Sequence, residues 1–214
     1  MSTNKDSTSK TEILHLGVAW LALSLAVTLL FADPFSSPSM LVDPLELGVV
    51  FGISFVTAGA GFLLHELAHK VVAQRYGYWA EFRADPEMLV IAIVSAAVGF
   101  LFAAPGAVQI YSYGKRSITD RENGVISVAG PATNLGLFAV FGLTTAVAGT
   151  MDIGIVERAG RFGMFVNAFL AAFNMIPFGP LDGRKVLSWS KGVFAGVLGL
   201  SVVLVVYSSG FLSL

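Results

Sequence analysis

The feature that most constrains this chain is an apolar run of almost thirty residues, 45–73, that ends in two histidines four positions apart. That spacing places His65 and His69 on one face of a helix, so both imidazoles can bind a single cation. Glu66 follows the first histidine and would point toward a water molecule on that cation. Zinc lowers the pKa of such a water to about 7, so Glu66 could take and return its proton at neutral pH.

This pattern of residues is typical of metalloproteases when it lies in a soluble helix. With average composition, its three fixed residues would arise by chance in fewer than about one chain in a hundred of this length. A charged residue at membrane depth also costs about 2.5–3.5 kcal/mol on insertion scales, so such residues are usually retained for function. The sequence therefore favours a metal site over a coincidence.

Composition excludes several other classes of protein. Hydrophobic residues make up 55% of the 214 positions and charged residues only 13%, against about 25% charged in soluble domains. A net charge of −1 argues against nucleic acid as a partner. The absence of cysteine excludes disulfides, thiolate nucleophiles and cysteine-based zinc sites. Three histidines are too few for membrane di-iron enzymes built from several histidine clusters.

The apolar runs predict an all-α polytopic membrane protein with about five spanning helices and short membrane-associated β segments. Residues 1–11 are polar and predict a disordered tail, and 12–214 would form a single membrane-embedded domain. His15 lies at the edge of the first span, where we expect an interfacial residue rather than a ligand. The spans are predicted at 13–32, 45–73, 124–148, 160–178 and 193–212.

One apolar segment, 88–104, has two possible interpretations. It is only 17 residues long, is followed by Pro105 and Gly106, and leads into 106–113, which we predict to be extended. The alternating aromatic segment 78–83 before it is typical of a short strand. The segment either forms a re-entrant helix/strand hairpin or crosses the membrane as a sixth span.

A catalytic zinc site needs three protein ligands and an open position, and no further histidine follows His69. A carboxylate is therefore expected as the third ligand. Asp182 is the best candidate, because it lies at the end of a predicted membrane helix. Asp-Gly is also a common turn sequence, and without the histidines a simple turn would be the preferred interpretation.

Three spaced motifs together resemble the site-2 protease family of intramembrane zinc metalloproteases. They are His65-Glu66-x-x-His69, Gly130-Pro131-x-x-Asn134, and Asn174-x-x-Pro177-x-x-Pro180-Leu181-Asp182-Gly183. The resemblance covers roughly residues 45–190 and implies that His65, His69 and Asp182 bind zinc while Glu66 is the catalytic base. It also implies that Asn174 and Asn134 contact the substrate backbone or the developing oxyanion. The chain lacks the inserted PDZ-like or CBS-like domains of larger relatives.

The metal ligands must share one membrane depth, and this requirement tests the topology. If 88–104 is re-entrant, the spans that carry the histidines and precede Asp182 run in the same direction. In that arrangement eleven of the thirteen Lys and Arg residues lie on the cytoplasmic side, as the positive-inside rule requires. With six spans the division is seven against six, which is almost no bias. Both arguments favour the re-entrant hairpin.

We therefore expect a multi-pass integral membrane enzyme with its active site toward the cytoplasmic side. It would be an intramembrane zinc endopeptidase that cuts transmembrane or membrane-proximal segments of other membrane proteins. The alternatives are a divalent-metal transporter, for which the outer parts of the spans offer almost no ionisable residues, and a non-catalytic membrane chaperone. Two histidines and a carboxylate suit zinc without excluding iron or cobalt. The oligomeric state stays open.

Overall fold

The computed structural model describes residues 8–32, 43–102, 105–112 and 117–210, which divide into two compact units. The first unit contains residues up to 63 and 80–109, and the second contains 64–79 and the residues from 110 onward. A five-residue π-helical segment, Phe55–Gly59, joins α2 to α3. The elements are α1 (Lys10–Ala32), α2 (Pro44–Ser54), α3 (Ala60–Arg75), β1 (Trp79–Ala84), α4 (Pro86–Ala97), β2 (Gly106–Tyr111), α5 (Asp120–Thr150), α6 (Gly154–Asn174), α7 (Asp182–Trp189) and α8 (Lys191–Ser209).

Helix α1 begins at Lys10, inside the segment that the sequence predicts to be a tail. The physical reason is a cap: the Ser9 hydroxyl accepts a hydrogen bond of 3.0 Å from the Glu12 backbone amide, which would otherwise lack a partner in the first turn. Residues 1–7 of the predicted tail lie outside the described residues. The single domain over 12–214 stays a prediction.

The π-helical segment packs against α1 in the first unit. The Trp20 indole stacks on Phe55 with ring centroids 4.3 Å apart, and its Nε1 donates a 2.9 Å hydrogen bond to the Phe55 carbonyl. A Cβ placed on Gly59 would lie 2.3 Å from Ser24 Oγ and 2.3 Å from Trp20 Cδ1. The helices therefore approach each other more closely at Gly59 than any larger residue permits.

A two-stranded sheet of β1 and β2 confirms both extended segments that the sequence predicts. The strands are antiparallel, because Gly106 lies against Arg83 and Ala84 at one end whereas Tyr111 contacts Trp79 at the other. A Cβ on Gly106, whose φ is +152°, would lie 2.3 Å from the Arg83 carbonyl oxygen, so glycine is required there.

Side chains of α1 occupy the edge of β1 that faces away from β2. Glu12 Oε1 accepts a 3.0 Å hydrogen bond from the Phe82 amide, and His15 Nδ1 accepts one of 3.2 Å from the Ala84 amide. Ser9 Oγ donates to Glu81, which also pairs with Arg83 at 3.1 Å. His15 therefore supports the sheet, and this edge of β1 is closed to further strands.

The segment between the two strands leaves the sheet and returns to the same point. Helix α4 has 12 residues, about 18 Å at 1.5 Å per residue, whereas a bilayer core is about 30 Å thick. The Asp85 amide donates a 3.1 Å hydrogen bond to the Pro105 carbonyl, so the two ends of the excursion are in contact. A single membrane crossing would separate those ends by the thickness of the bilayer. Helix α4 by itself is thus shorter than a bilayer core, and the choice between a re-entrant hairpin and a sixth span stays a prediction.

Within the described residues, four helical segments are long and apolar enough to cross a membrane: Lys10–Phe31, Pro44–Arg75, Asp120–Thr150 and Lys191–Ser209. Helix α6, which corresponds to the span predicted at 160–178, is not among them, since its first turns carry Glu157, Arg158 and Arg161. It also ends at Asn174, four residues earlier than predicted. The count of five spans stays a prediction.

Small residues bring α5 and α6 together in the second unit. A Cβ on Gly160 would lie 2.3 Å from Thr145 Oγ1, and a Cβ on Gly163 would lie 2.5 Å from the Phe141 ring. Glycine at both positions lets the two helix backbones approach each other closely, as is common between apolar helices. This close approach places polar side chains of α6 within reach of α5.

We predict that Gly59→Ala destabilises the protein by about 1–3 kcal/mol, because the added methyl group overpacks the contact with Trp20 and Ser24. Thermal unfolding in detergent, followed by circular dichroism, would measure the change. Gly52→Ala is the matched control, since nothing lies within 4 Å of a Cβ at that position. Equal stability of the two variants would contradict the packing argument.

Candidate metal centre

Helix α3 carries three side chains that can bind a metal ion, and all three are buried. Because His65 and His69 are one turn apart, their rings meet edge to face with centroids 4.7 Å apart. One ligand atom from each of His65, Glu66 and His69 lies within 4.8 Å of the others. The helix therefore gathers these three groups as the sequence predicts.

Asp182 is the first residue of α7 and lies beside the two histidines, although it is far from them in the sequence. Its Oδ2 atom lies 3.2 Å from His65 Nε2 and 3.1 Å from His69 Nε2. A Cβ on the following residue, Gly183, would lie 2.0 Å from the Met175 carbonyl oxygen, so only glycine lets α7 start here. Asp182 is thus more than a turn residue, because its carboxylate faces both histidines.

The second nitrogen of each imidazole is held by a hydrogen bond. His69 Nδ1 donates to the Ile126 carbonyl at 2.8 Å, and His65 Nδ1 donates to Asn134 Oδ1 at 2.5 Å. A neutral imidazole that donates from Nδ1 presents a lone pair at Nε2. Both Nε2 atoms are therefore turned toward Asp182 as ligand atoms, which is the orientation that histidine ligands need.

These contacts bring three acceptor atoms together in a buried place. Two Nε2 lone pairs and a carboxylate oxygen repel one another unless a proton or a metal ion lies between them. Zinc–ligand distances of 2.0–2.2 Å in a tetrahedron separate neighbouring ligand atoms by about 3.3–3.6 Å. The 3.1 and 3.2 Å between Asp182 and the histidines are within a few tenths of an ångström of this range. The donor set and its spacing fit zinc.

Asp182 is ionised in this setting. Burial by itself would raise the pKa of its carboxyl. Without a metal ion, however, protons on the facing Nε2 atoms take its place, and the positive charge of His69 and hydrogen bonds from both histidines hold that pKa well below its usual range. Lys185 Nζ lies 4.0 Å from Asp182 Oδ1 and adds positive charge on the same side. The carboxylate is therefore available as an anionic ligand.

Helix α5 passes directly against the His65 ring. A Cβ on Gly130 would lie 2.4 Å from His65 Nε2, so the imidazole occupies the space that glycine leaves. One turn later on the same helix, Asn134 bonds the ring from its Nδ1 side. Gly130 and Asn134 lie one turn apart on α5 and together form a slot that holds the His65 ring.

The position of Asn134 differs from the one that the resemblance implies. Its side chain is fully buried, accepts from His65 and donates to Asn167 Oδ1 at 3.0 Å. This places Asn134 behind the histidine, where it supports the ligand, and substrate contact by Asn134 stays a prediction. Asn174 is half-buried at the end of α6 and donates to the Leu170 carbonyl of its own helix at 2.9 Å. Substrate contact by Asn174 stays a prediction.

Two groups at the site were not foreseen from the sequence. The Ile126 carbonyl carries no side-chain signal, because any residue supplies one. Asn167 does carry a signal: an amide side chain in an apolar helix at membrane depth is expensive and is usually retained for a purpose. A search for isolated amides in the apolar runs would have identified it.

The fold and the site together define a polytopic helical metalloenzyme with a His-Glu-His-Asp centre. Comparisons with known proteins agree. The chain is 39% identical to a candidate zinc metalloprotease of Methanocaldococcus jannaschii over 196 residues, which cover 91% of this chain and 92% of the relative. It is 32% identical over 162 residues to one of Mycobacterium tuberculosis, covering 71% of this chain and 36% of that protein.

The chain belongs to the site-2 protease family of zinc metalloproteases, and its metal cofactor is zinc. A candidate zinc metalloprotease of Synechocystis is 34% identical over 131 residues, 60% of this chain and 28% of that protein. No family model matches the chain, and no solved structure matches it.

We predict that Gly130→Ala lowers zinc affinity by about 10–100-fold, because the added methyl group displaces the His65 ring from its slot. Competition with a chromophoric chelator in detergent would measure the dissociation constant. Gly136→Ala on the same helix is the matched control, since its Cβ meets nothing within 4 Å. Wild-type affinity in Gly130→Ala would mean that His65 does not depend on this slot.

Proposed function

We propose that this protein is an intramembrane zinc endopeptidase that cleaves transmembrane or membrane-proximal segments of other membrane proteins. The observation that carries the proposal is the convergence of His65, His69 and Asp182, with Glu66 beside them, on a helical segment apolar enough to span a membrane. A soluble protease has no need to place such a site among lipid-compatible residues. Intramembrane cleavage is the chemistry for which this combination is suited.

In this proposal, His65, His69 and Asp182 would hold the metal, and Glu66 is the general base. Zinc, when bound there, supplies Lewis acidity that lowers the pKa of water and polarises a carbonyl oxygen. Glu66 lies one residue from the first ligand, is buried and is close to both histidines. It accepts a proton from the attacking water and delivers it to the leaving amine.

Asn174 is proposed as the residue that contacts the substrate backbone or the oxyanion of the intermediate. Its position at the C-terminal end of α6, eight residues before Asp182, and its partial exposure support this role. An amide donor aimed at developing negative charge is worth about 2.7–4 kcal/mol in other hydrolases. Asn134 is not part of this proposal, since His65 and Asn167 occupy its side chain.

The site is proposed to open toward the cytoplasm. The predicted topology puts eleven of thirteen basic residues on that side, and the histidines lie in the C-terminal half of the Pro44–Arg75 segment, whose last residue is Arg75. Water would then reach the site from the cytoplasmic face. The re-entrant path of the hairpin, with Asp85 bonded to Pro105, supports this topology.

We predict that Glu66→Gln abolishes cleavage of a membrane-protein substrate and keeps zinc, because the amide preserves the shape of Glu66 and cannot accept the proton. Cleavage of a reconstituted substrate and zinc content would be measured on the same preparation. Glu87→Gln, at the start of α4 and exposed, is the control. Turnover that survives in Glu66→Gln would overturn the assignment of the base.

A substrate helix must be unwound before it is cut, since helical backbone hides its carbonyls behind hydrogen bonds. We propose that β2 holds the substrate in an extended form by strand addition. The far edge of β1 is closed by Glu12 and His15, whereas β2 has β1 as its one strand neighbour among the described residues. The edge of β2 is thus the edge that a peptide could join.

Alternate proline substitutions along 107–111 test this role of β2. Along β2, the backbone N–H of every second residue faces β1, and the N–H groups between them face the outer edge. Proline at the first kind of position removes a hydrogen bond of the β1–β2 pair, whereas proline at the second kind removes only a donor of the outer edge. We predict that the second group keeps its thermal stability and loses cleavage by tenfold or more. Unchanged cleavage in both groups of proline variants would exclude strand addition at β2.

A further inference from the structure

Lys185 lies on α7 beside the metal centre, and the proposed mechanism does not use it. It follows Asp182 by three residues, so the two side chains lie on the same face of the helix. Its Nζ atom is 4.0 Å from Asp182 Oδ1, at the limit for an ion pair. Pairs of this spacing are common on helix surfaces, but here one member of the pair is a proposed metal ligand.

The two oxygens of the Asp182 carboxylate have different neighbours. Oδ2 lies 3.2 Å from Nε2 of His65 and 3.1 Å from Nε2 of His69. Oδ1 has the ammonium group of Lys185 as its partner among the described contacts. The carboxylate therefore turns one oxygen toward the other ligand atoms and the second oxygen toward a cation.

Packing fixes the backbone of Asp182 more closely than its carboxyl group. The next residue, Gly183, lies so close to Met175 that a Cβ on it would be 2.0 Å from the Met175 carbonyl oxygen. Rotation about the Cβ–Cγ bond of an aspartate, by contrast, has only a broad preference. The tilt of the carboxyl group therefore depends on what its two oxygens contact.

This tilt matters at a catalytic zinc site. Such a site takes three protein ligands and keeps a further position open for water or substrate. A carboxylate can bind a metal ion through one oxygen or through both. If both oxygens of Asp182 were bound, they would occupy space around the metal that the water needs.

We propose that Lys185 is a positioning residue that pairs with Oδ1 of Asp182 and so leaves only Oδ2 to the metal. The inference rests on the proposed function, because it takes Asp182 as a zinc ligand. The Lys185 side chain is 42% exposed and that of Asp182 is 9% exposed. Lys185 thus reaches the carboxylate from the protein surface, whereas Oδ2 faces the buried histidines.

Two simpler roles of Lys185 lead to different expectations. If the lysine were a bystander charge, it would repel the incoming cation, and its removal would strengthen zinc binding. If it only stabilised α7 as a surface pair, its removal would lower thermal stability and leave the metal site unchanged. Neither role alters the number of protein oxygens that the metal binds.

The test compares Lys185→Gln with Arg184→Gln in the full chain in detergent. Arg184 is the matched control, because it is the exposed neighbour of Lys185 on α7 and has no ion pair with Asp182 among the contacts of the described residues. Each variant loses one positive charge. Circular dichroism checks folding, and Lys185→Met replaces Lys185→Gln if the latter does not fold.

The first readout is the visible spectrum of protein loaded with Co²⁺, which absorbs strongly in a four-coordinate site and weakly at higher coordination numbers. We expect Lys185→Gln to lower this absorption by about twofold or more, because both oxygens of Asp182 can then bind. Arg184→Gln should keep the wild-type spectrum. Lys185→Arg keeps the cation and should keep the spectrum as well.

Zinc content and cleavage of a membrane-protein substrate are measured on the same variants. Lys185→Gln should keep about one zinc per chain and lose cleavage by about tenfold, whereas Arg184→Gln should match wild type. An unchanged cobalt spectrum in Lys185→Gln would overturn the inference and leave the proposed function intact.

A spectral change of the same size in Arg184→Gln would also overturn the inference, since the effect would then follow net charge alone. A wild-type protein that binds no metal, or that cleaves no membrane-protein substrate, would instead contradict the proposed function. The two kinds of failure are thus distinguishable in one set of preparations.

Discussion

The structure depends on the meeting of three lone-pair acceptors in a buried place. Oδ2 of Asp182 lies 3.2 Å from Nε2 of His65 and 3.1 Å from Nε2 of His69, and all three side chains are buried away from the water that would screen their repulsion. Such an arrangement is stable only when a proton or a metal ion lies between the acceptors. The fold orients both imidazoles in advance. Nδ1 of each ring is hydrogen-bonded to an acceptor on α5, so that Nε2 is available to bind a metal ion. The chemistry of a hydrolytic metal site follows from this one constraint.

Glycines make the approach of the helices possible. Gly130 leaves space for the His65 ring, Gly163 lets α6 approach α5, and Gly183 lets α7 begin against the Met175 carbonyl. Each position would place a Cβ within 2.5 Å of a neighbour, so a larger residue would force the backbones apart. Where apolar helices have little hydrophobic reason to associate, small residues and hydrogen-bonded amides hold them together. The same residues that pack the second unit also shape the metal centre.

Much of the site could be predicted from the sequence because its signals are local or chemically rare. The four-residue spacing of His65 and His69 fixes their common face, and Asp182 was the best-placed carboxylate. The extended conformation of β2 could be predicted from the proline-glycine break after a short apolar run. The rest depends on packing: the sequence does not indicate that Asn134 faces a histidine, that Asn167 reaches it from another helix, or that α2 continues into α3 through a π-helical turn.

The most direct test of this account is the zinc content of the purified protein in detergent, wild type beside Asp182→Ala. Asp120→Asn, an exposed carboxylate at the start of α5, is the control. The account predicts about one zinc per chain in wild type and control, and zinc lost or strongly weakened in Asp182→Ala. Zinc retained unchanged in Asp182→Ala would contradict it. Asp182 would then serve only to start a helix, and the three acceptors would not form the metal site.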